Sequence, residues 1–338
     1  MSEQAAVTPN HQEKADSTAM VSIVVTPRER FGLSRASLES IYANTTVDFR
    51  LIYVDGNSPK GIAAYLRRAA VEYGFELLSH SEYLSPNQAR NLGMAKVDTP
   101  YVVFVDNDLI VTEGWLQHLL KCAEHTGAPV VGPLYFEGDP GKHVVHMAGG
   151  DYSFEGEHGS RKFSTVHRHQ GQRLDELEAE IVREPVDFVE FHCMLVNSQF
   201  LRDLGGLDEK LLSTREHLDL CLATANAGQA VYIEPQSRVT YLTPPPVDMG
   251  DIPFFLRRWS EAWNQASLEH FCRKHGIAAT YTDRLVGMRA RRQLLLEPIR
   301  KTSKKLLPTA VDRFLMRVMA RLEREANRAL FRVPADLG

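Results

Sequence analysis

Residues 101–108 read Tyr-Val-Val-Phe-Val-Asp-Asn-Asp. Five apolar residues of strand-forming type break at once into two carboxylates one residue apart. This is the pattern of a buried strand whose end presents Asp106 and Asp108 to a cleft. Upstream, Val21–Thr26 is a β-branched run that stops at Pro27, and Phe49–Val54 is a second strand stopped by Asp55-Gly56-Asn57-Ser58-Pro59. Phe75–Leu78 reads as a short strand. Between them the spacing predicts helices over Ser34–Tyr42, Gly61–Tyr73 and Pro86–Ala95, the last with proline near its start, where a missing N–H costs nothing. Downstream come a helix over Trp115–His125 and a short strand over Pro129–Gly132. Strand and helix alternate throughout, so the fold class is α/β, a mostly parallel sheet with helices on both faces. Ligands of such sheets bind at the carboxyl ends of the strands. Pro27–Arg30, Asp55 and Asp106–Asp108 all fall there.

The stretch from Phe136 to Arg183 is rich in glycine, histidine and charge and weak in periodicity, and it reads as a long excursion from the sheet. Val186–Val196 is expected to return as one strand. Leu207–Leu212 reads as a loop, Glu216–Ala227 as a helix ended by Gly228, and Ala230–Ile233 and Arg238–Leu242 as two short strands. Pro244-Pro245-Pro246 marks a boundary, and helices follow at about 254–275, 284–304 and 309–331. The expected organisation is a disordered tail (1–19), an α/β domain (20–250) and a helical, basic extension (251–338). The domain divides into a nucleotide-binding half, about 20–132, and an acceptor half, about 133–250.

The 338 residues carry a formal net charge of -4. Residues 284–332 contain 14 Lys/Arg and 4 Asp/Glu, which is +10, so the remainder carries -14. A slightly acidic body with a basic C-terminal segment gives no reason to expect a nucleic-acid partner. Four cysteines lie far apart with no C-x-x-C pair, which argues against structural zinc on thiolates and against a disulfide framework. No apolar run reaches the ~18–20 residues that span a bilayer. The expected location is cytoplasmic, with peripheral contact on the inner face of the membrane as a variant.

Paired carboxylates at a strand end suit a hard divalent cation held jointly with substrate phosphates, hence Mn²⁺ or Mg²⁺ on Asp106 and Asp108. The clustered His143, His146, His158, His167 and His169 include an i, i+3 pair, His143 and His146, that could hold zinc. The simpler account is a histidine-bearing loop at an acceptor pocket. Phe191, His192 and Met194 could line that pocket.

Five fragments carry a resemblance: SIVVTPRER (22–30), LIYVDGNSPKG (51–61), NQARNLGMAKVDTPYVVFVDND (87–108), GGLDEKL (205–211) and EHLDLCL (216–222). In this order and spacing they resemble inverting family 2 glycosyltransferases of the GT-A fold, over about residues 21–245. The resemblance implies transfer of a sugar from a nucleoside-diphosphate sugar, UDP-sugars favoured, to a glycan, lipid-linked or small-molecule acceptor, as in cell-envelope glycans. It places Thr26, Pro27, Arg30, Asp55, Arg90, Asn91 and Asp106 around the donor, with Asp55 on the base. It makes Glu216 or His217 the catalytic base. His217 stands where the family has an aspartate, and the family's late histidine is missing from Arg238–Thr243, where Tyr241 is the substitute donor. Asp219 is expected to support the site from the helix start. The C-terminal helices, with Leu294–Leu296, Leu306-Leu307 and Phe314-Leu315 among arginines, suit a membrane surface or a homo-oligomer contact. Two rival readings are a catalytically inactive GT-A-like protein that binds nucleotide-sugar or glycan, and a sugar-1-phosphate nucleotidyltransferase. The latter normally has a glycine-rich basic loop after the first strand. Here that loop is Thr26-Pro27-Arg28-Glu29-Arg30, with its glycine only at Gly32.

Overall fold

A computed structural model describes residues 19–177, 180–242, 248–279 and 282–333. Residues 1–18 of the expected tail, the Pro244–Pro246 boundary and Thr243 lie outside them. The first half alternates as the sequence predicts: β1 (Val21–Thr26), α1 (Ser34–Asn44), β2 (Phe49–Gly56), α2 (Lys60–Tyr73), β3 (Glu76–His80), α3 (Pro86–Met94), β4 (Tyr101–Asp106), β5 (Leu109–Val111), α4 (Trp115–Thr126) and β6 (Val130–Glu137). The second part of the sheet domain adds β7 (Val144–Met147), β8 (Gly150–Glu155), β9 (Lys162–His167), a single turn α5 (Leu174–Leu177), β10 (Glu184–Val186), β11 (Cys193–Asn197), α6 (Ser198–Asp203), α7 (Glu216–Asn226) and β12 (Val231–Tyr241). The helices α8 (Ile252–Arg258), α9 (Glu261–Lys274), α10 (Thr282–Gln293), α11 (Glu297–Leu306) and α12 (Thr309–Leu330) follow.

The main sheet runs β10-β12-β6-β11-β4-β1-β2-β3, with β5 pairing β12 and β7 pairing β6. β4, β1, β2 and β3 are parallel neighbours, whereas β11 runs antiparallel between β4 and β6. The chain moves outward from β1 to β2 to β3, then α3 carries it back to β4 on the other side of β1. The gap between the ends of β1 and β4 is therefore a topological switch point, where sheets of this kind bind ligands. All six residues of β1 are buried, and burial of each Val or Ile side chain contributes about 1.5–3 kcal/mol. α3 starts on a reciprocal cap, Ser85 Oγ accepting from Gln88 N and Gln88 Oε1 accepting from Ser85 N. It then lies so close to β1 that a Cβ on Gly93 would stand 2.3 Å from Val24 Cγ1. That contact holds α3, and with it Arg90, against the sheet.

Three expectations need correction. The stretch Val186–Val196 is not one strand: β10 ends at Val186 and β11 begins at Cys193. Between them Phe188 exchanges backbone hydrogen bonds with Gly150, and Glu190 N donates to the Tyr135 hydroxyl, which itself donates to Glu190 O and Cys193 O. Those off-sheet partners replace a ladder. Conversely, the two short strands near 230 and 242 are one, β12, with a register shift between Glu234 and Arg238. A bulge of this kind mimics a strand end in sequence. The segment Pro129–Gly132 continues through Glu137 as β6. Within the excursion, β8 and β9 form a separate two-stranded hairpin.

α8 and α9 pack directly on the sheet domain. Phe254 meets Phe31 with ring centroids 5.7 Å apart, Leu212 N donates to Ser267 Oγ at 2.8 Å, and Asp219 of α7 pairs with Lys274 and His275 at 2.9 and 2.8 Å.

Candidate active site

The end of β4 is locked to the end of β1. Thr26 is in register with Asp106, and Asn107 N donates to Thr26 O at 3.1 Å. The Asn107 side chain accepts from Arg28 N at 2.7 Å and donates to Ser34 Oγ at 2.8 Å. The middle residue of the triplet thus binds the two loops together, while its neighbours face charge.

Asp106 is fully buried. Its Oδ1 lies 3.3 Å from Arg90 Nη2, and its Oδ2 lies 3.3 Å from Arg28 Nε and 3.1 Å from His192 Nδ1. Asp108 Oδ2 meets Arg30 Nη2 at 2.5 Å, while its Oδ1 is buried with no hydrogen-bond partner among the described residues. A lone buried carboxylate is too costly to persist, so partners on separate elements are required. The two aspartates titrate in opposite directions. Burial works against the Asp106 charge, but Arg28, the His192 hydrogen bond and Arg90 hold its carboxyl below the usual range. Burial pushes Asp108 up, Arg30 opposes this and Asp106 adds to it. Burial also pulls Arg90 down to about 10 despite Asp106. Arg90 lies over the Phe191 ring at 4.1 Å and Arg30 over Tyr241 at 4.8 Å, so aromatic faces support the guanidinium groups where carboxylates do not.

Arg28, Arg90, Phe191 and Tyr241 form one wall of a cleft of about 220 Å³. Glu216 and His217, at the start of α7, form another, with His146, Glu190 and His192 beside them and Arg258, Trp259 and Arg291 closing it from the C-terminal helices. Glu216 is buried, and its Oε1 has no hydrogen-bond partner among the described residues. His217 packs against Phe188, ring centroids 5.9 Å apart, and burial pulls its imidazole down to about 3. It is therefore neutral and feebly basic. Glu29 accepts from Trp259 Nε1 at 2.9 Å and lies 3.3 Å from Arg258 Nε, which ties the first loop to α8. Arg258 Nη1 is buried with no hydrogen-bond partner among the described residues. A larger groove, about 830 Å³, lies among α10, α11 and α12 and contains none of these side chains.

The structure thus brings Arg90, Glu216 and His217 to one cleft, with Asp106 held against its lining residues Arg28, Arg90 and His192. Thr26, Pro27, Arg30 and Asp108 are not among the residues that line it; Thr26 lies in register with Asp106 and Pro27 lies close to Gly56. Asp55 stands apart and accepts from Ser58 N at 2.9 Å, an Asx turn after β2. Asn91 is turned away from the cleft: it donates to Leu207 O and Glu209 Oε1, both at 2.8 Å, and accepts from Leu207 N at 3.0 Å. It braces the Gly205-Gly206 loop. The pairing of His143 with His146 does not form. His143 packs on Phe136, while His146 turns to Glu137 and Glu190. Missed in the sequence were Glu190, Arg258 and Arg291, and the place of His192 beside Asp106. His192 stacks on Tyr241 with centroids 4.2 Å apart, so an imidazole stands beside the last residue of β12. Asp106, Asp108 and His192 offer three ligand atoms within 4.8 Å of one another.

A parallel sheet with a buried carboxylate cluster at its switch point is the architecture of a nucleotide-sugar transferase of the GT-A type. The sequence profile of glycosyl transferase family 2 matches residues 22–198, just over half of the chain, and the chain belongs to that family. Among curated proteins it is similar to the pre-mycofactocin glycosyltransferase of Mycobacterium tuberculosis, 29% identical over 167 residues, which are 49% of this chain and 32% of that protein. It also resembles an uncharacterized glycosyltransferase of Rickettsia bellii, 25% identical over 136 residues, 40% of this chain and 20% of that one. The aligned stretch thus spans a third or less of these relatives. Two solved structures share the fold. GalNAc-T7 with UDP, GalNAc and Mn²⁺ has a TM-score of 0.53 at 14% identity, covering 83% of this chain and 57% of that one. The mannosyltransferase PcManGT of Pyrobaculum calidifontis, in complex with GDP-Man and Mn²⁺, has a TM-score of 0.51 at 14% identity, covering 92% and 82%.

If Asp106 is the charge that holds Arg28 and Arg90 in place, Asp106→Asn strands two buried guanidinium groups. Urea unfolding should show a loss of about 3–5 kcal/mol. A loss below about 1 kcal/mol, typical of exposed pairs, would contradict this.

Proposed function

We propose that the chain transfers a sugar from a nucleoside-diphosphate sugar, UDP-sugars first, to an acceptor hydroxyl with inversion at the anomeric carbon. The observation that carries this reading is Glu216. It lines the same cleft as Arg28, Arg90 and His192, the partners of Asp106, and one of its oxygens is buried with no hydrogen-bond partner among the described residues. In the proposed reaction Glu216 takes the hydroxyl proton as that oxygen bonds to the anomeric carbon, and the bond from that carbon to the diphosphate breaks. The nucleoside diphosphate leaves with the bonding electron pair. Arg28, Arg90 and Arg258 face the charge that builds on it, a preorganised electrostatic role. Asp55, at the end of β2, is the assigned contact for the base.

Asp106 and Asp108 fit Mn²⁺ or Mg²⁺, because Asp108 Oδ1, which has no partner among the described residues, is available to a cation and an ion of this kind keeps positions for phosphate oxygens. When bound, such an ion would supply charge neutralisation of the leaving diphosphate. His217, neutral and packed on Phe188, shapes the acceptor side and leaves the proton to Glu216.

We further infer contact with an anionic membrane through α11 and α12, which suits a lipid-linked acceptor. Residues 297–330 carry 9 Lys/Arg and 4 Asp/Glu, a net +5. Leu306, Phe314 and Leu322 are 75%, 64% and 63% exposed among them. A basic helix with an uncovered apolar face binds such surfaces. Among the described residues no helix is long and apolar enough to cross a membrane.

Glu216→Gln should lower kcat for nucleotide release by roughly 100- to 10,000-fold, whereas His217→Ala should stay within about tenfold of the parent. Equal losses in both variants would remove Glu216 from the role. In sedimentation with phosphatidylglycerol vesicles, Phe314→Glu with Leu322→Glu should abolish binding of the full chain. An intact protein that ignores such vesicles would end the membrane reading.

A further inference from the structure

Glu190 lies in the irregular run before β11, and three imidazoles close on its carboxylate. His146 Nε2 is 2.9 Å from Oε2, His192 Nε2 is 3.3 Å from the same oxygen, and His167 Nε2 is 3.6 Å from Oε1. The outer nitrogens of two of these rings are themselves anchored. His146 Nδ1 meets Glu137 at 3.1 Å and His192 Nδ1 meets Asp106 at 3.1 Å. Each carboxylate fixes its ring so that Nε2 turns inward to one point beside Glu190. Metal-bound histidines are held in this way, one nitrogen on the ion and the other on a carboxylate.

The spacing agrees. In a tetrahedral site with bonds of about 2.0–2.2 Å, the ligand atoms stand roughly 3.3–3.6 Å apart. To the one oxygen Glu190 Oε2 the contacts are 2.9 and 3.3 Å, and the donors of His146, Glu190 and His192 all lie within 4.8 Å of one another. Imidazole nitrogens with one carboxylate suit Zn²⁺ and its neighbours Co²⁺ and Ni²⁺, whereas Mg²⁺ and Ca²⁺ prefer oxygen alone. The backbone around Glu190 is rigid, because the Tyr135 hydroxyl binds Glu190 O and Cys193 O at 2.8 and 2.7 Å. The group opens on the cleft, which His146, Glu190 and His192 help to line.

We propose that His146, Glu190 and His192 form a three-ligand transition-metal site of their own, with its fourth position open to the cleft, separate from any ion on Asp108. His192 joins the two regions: Nε2 faces this site while Nδ1 faces Asp106. An ion here therefore fixes the imidazole that backs the donor carboxylates. The site does not depend on sugar transfer, since its ligands are complete without nucleotide.

Zn²⁺ titrated calorimetrically into the full chain without nucleotide is the test, with Co²⁺ in its place for visible absorption. One equivalent should bind to the parent protein and to Asp108→Ala alike. His146→Gln should weaken binding at least about 100-fold, and Glu137→Gln, which only orients His146, roughly 10- to 100-fold. Melting curves verify that each variant is folded, and zinc X-ray absorption on the unmutated protein reads the ligands without any substitution. It should show imidazole nitrogens at about 2.0–2.1 Å. Absence of saturable binding, binding lost in Asp108→Ala, binding unchanged in His146→Gln or a shell of oxygen alone would each overturn the proposal.

Discussion

The structure around the cleft depends on one constraint, the charge of Asp106 buried where β1 and β4 part. A carboxylate with no exposure must find cations within contact distance or lose its charge. It finds two on separate elements, Arg28 on the loop after β1 and Arg90 on α3, and a hydrogen-bonding imidazole, His192, before β11. Each partner is positioned by its own local physics. Arg90 is placed by a capped helix pressed on β1 through Gly93, Arg28 by the Asn107 bridge, and His192 by the backbone that Tyr135 pins. A second tier repeats the logic, with Glu29 held between Arg258 and Trp259. This tier makes α8 part of the cleft wall.

That arrangement bears on how a cation would be used. Arg28, Arg30 and Arg90 already oppose the two aspartates, three positive charges against two. A divalent ion and a diphosphate arriving together would leave the balance nearly unchanged, since the ion brings two positive charges and the diphosphate two or three negative ones. The arginines would then face phosphate oxygens as well as carboxylates, which bidentate guanidinium groups suit. Asp108 Oδ1, Arg258 Nη1 and Glu216 Oε1 are among the buried groups around the cleft with no hydrogen-bond partner among the described residues.

The nucleotide half was legible because its signals are local. Tyr101–Val105 followed by Asp106-Asn107-Asp108, the Ser85 cap with Pro86, and the turn formers after Asp55 each declare an element within a few residues. The acceptor half was not. A bulge at Glu234–Arg238 divided β12 into two apparent strands, and the off-sheet bonds of Phe188 and Glu190 broke a run whose composition reads as one. The partners of Asp106 and Glu29 illustrate the same point at long range. His192 lies 86 positions from Asp106 and Trp259 lies 230 from Glu29, and no periodicity reports such contacts. Asn91 shows the opposite error: a motif position next to a functional arginine turned out to brace the Gly205-Gly206 loop. Of the five clustered histidines only His146 and His167 face Glu190, because β7 and the end of β9 direct them there.

The central claim is that the carboxylates at the switch point, with their arginines, form the seat of a nucleoside diphosphate. Calorimetric titration of UDP and GDP into the parent protein and Asp108→Ala, each with Mn²⁺ and with EDTA, tests it most directly. The account predicts saturable binding of one of them to the parent protein with Mn²⁺, weakened at least about tenfold by Asp108→Ala and by EDTA. Binding of equal strength in all four conditions, or no binding of either nucleotide to the parent protein, would contradict it.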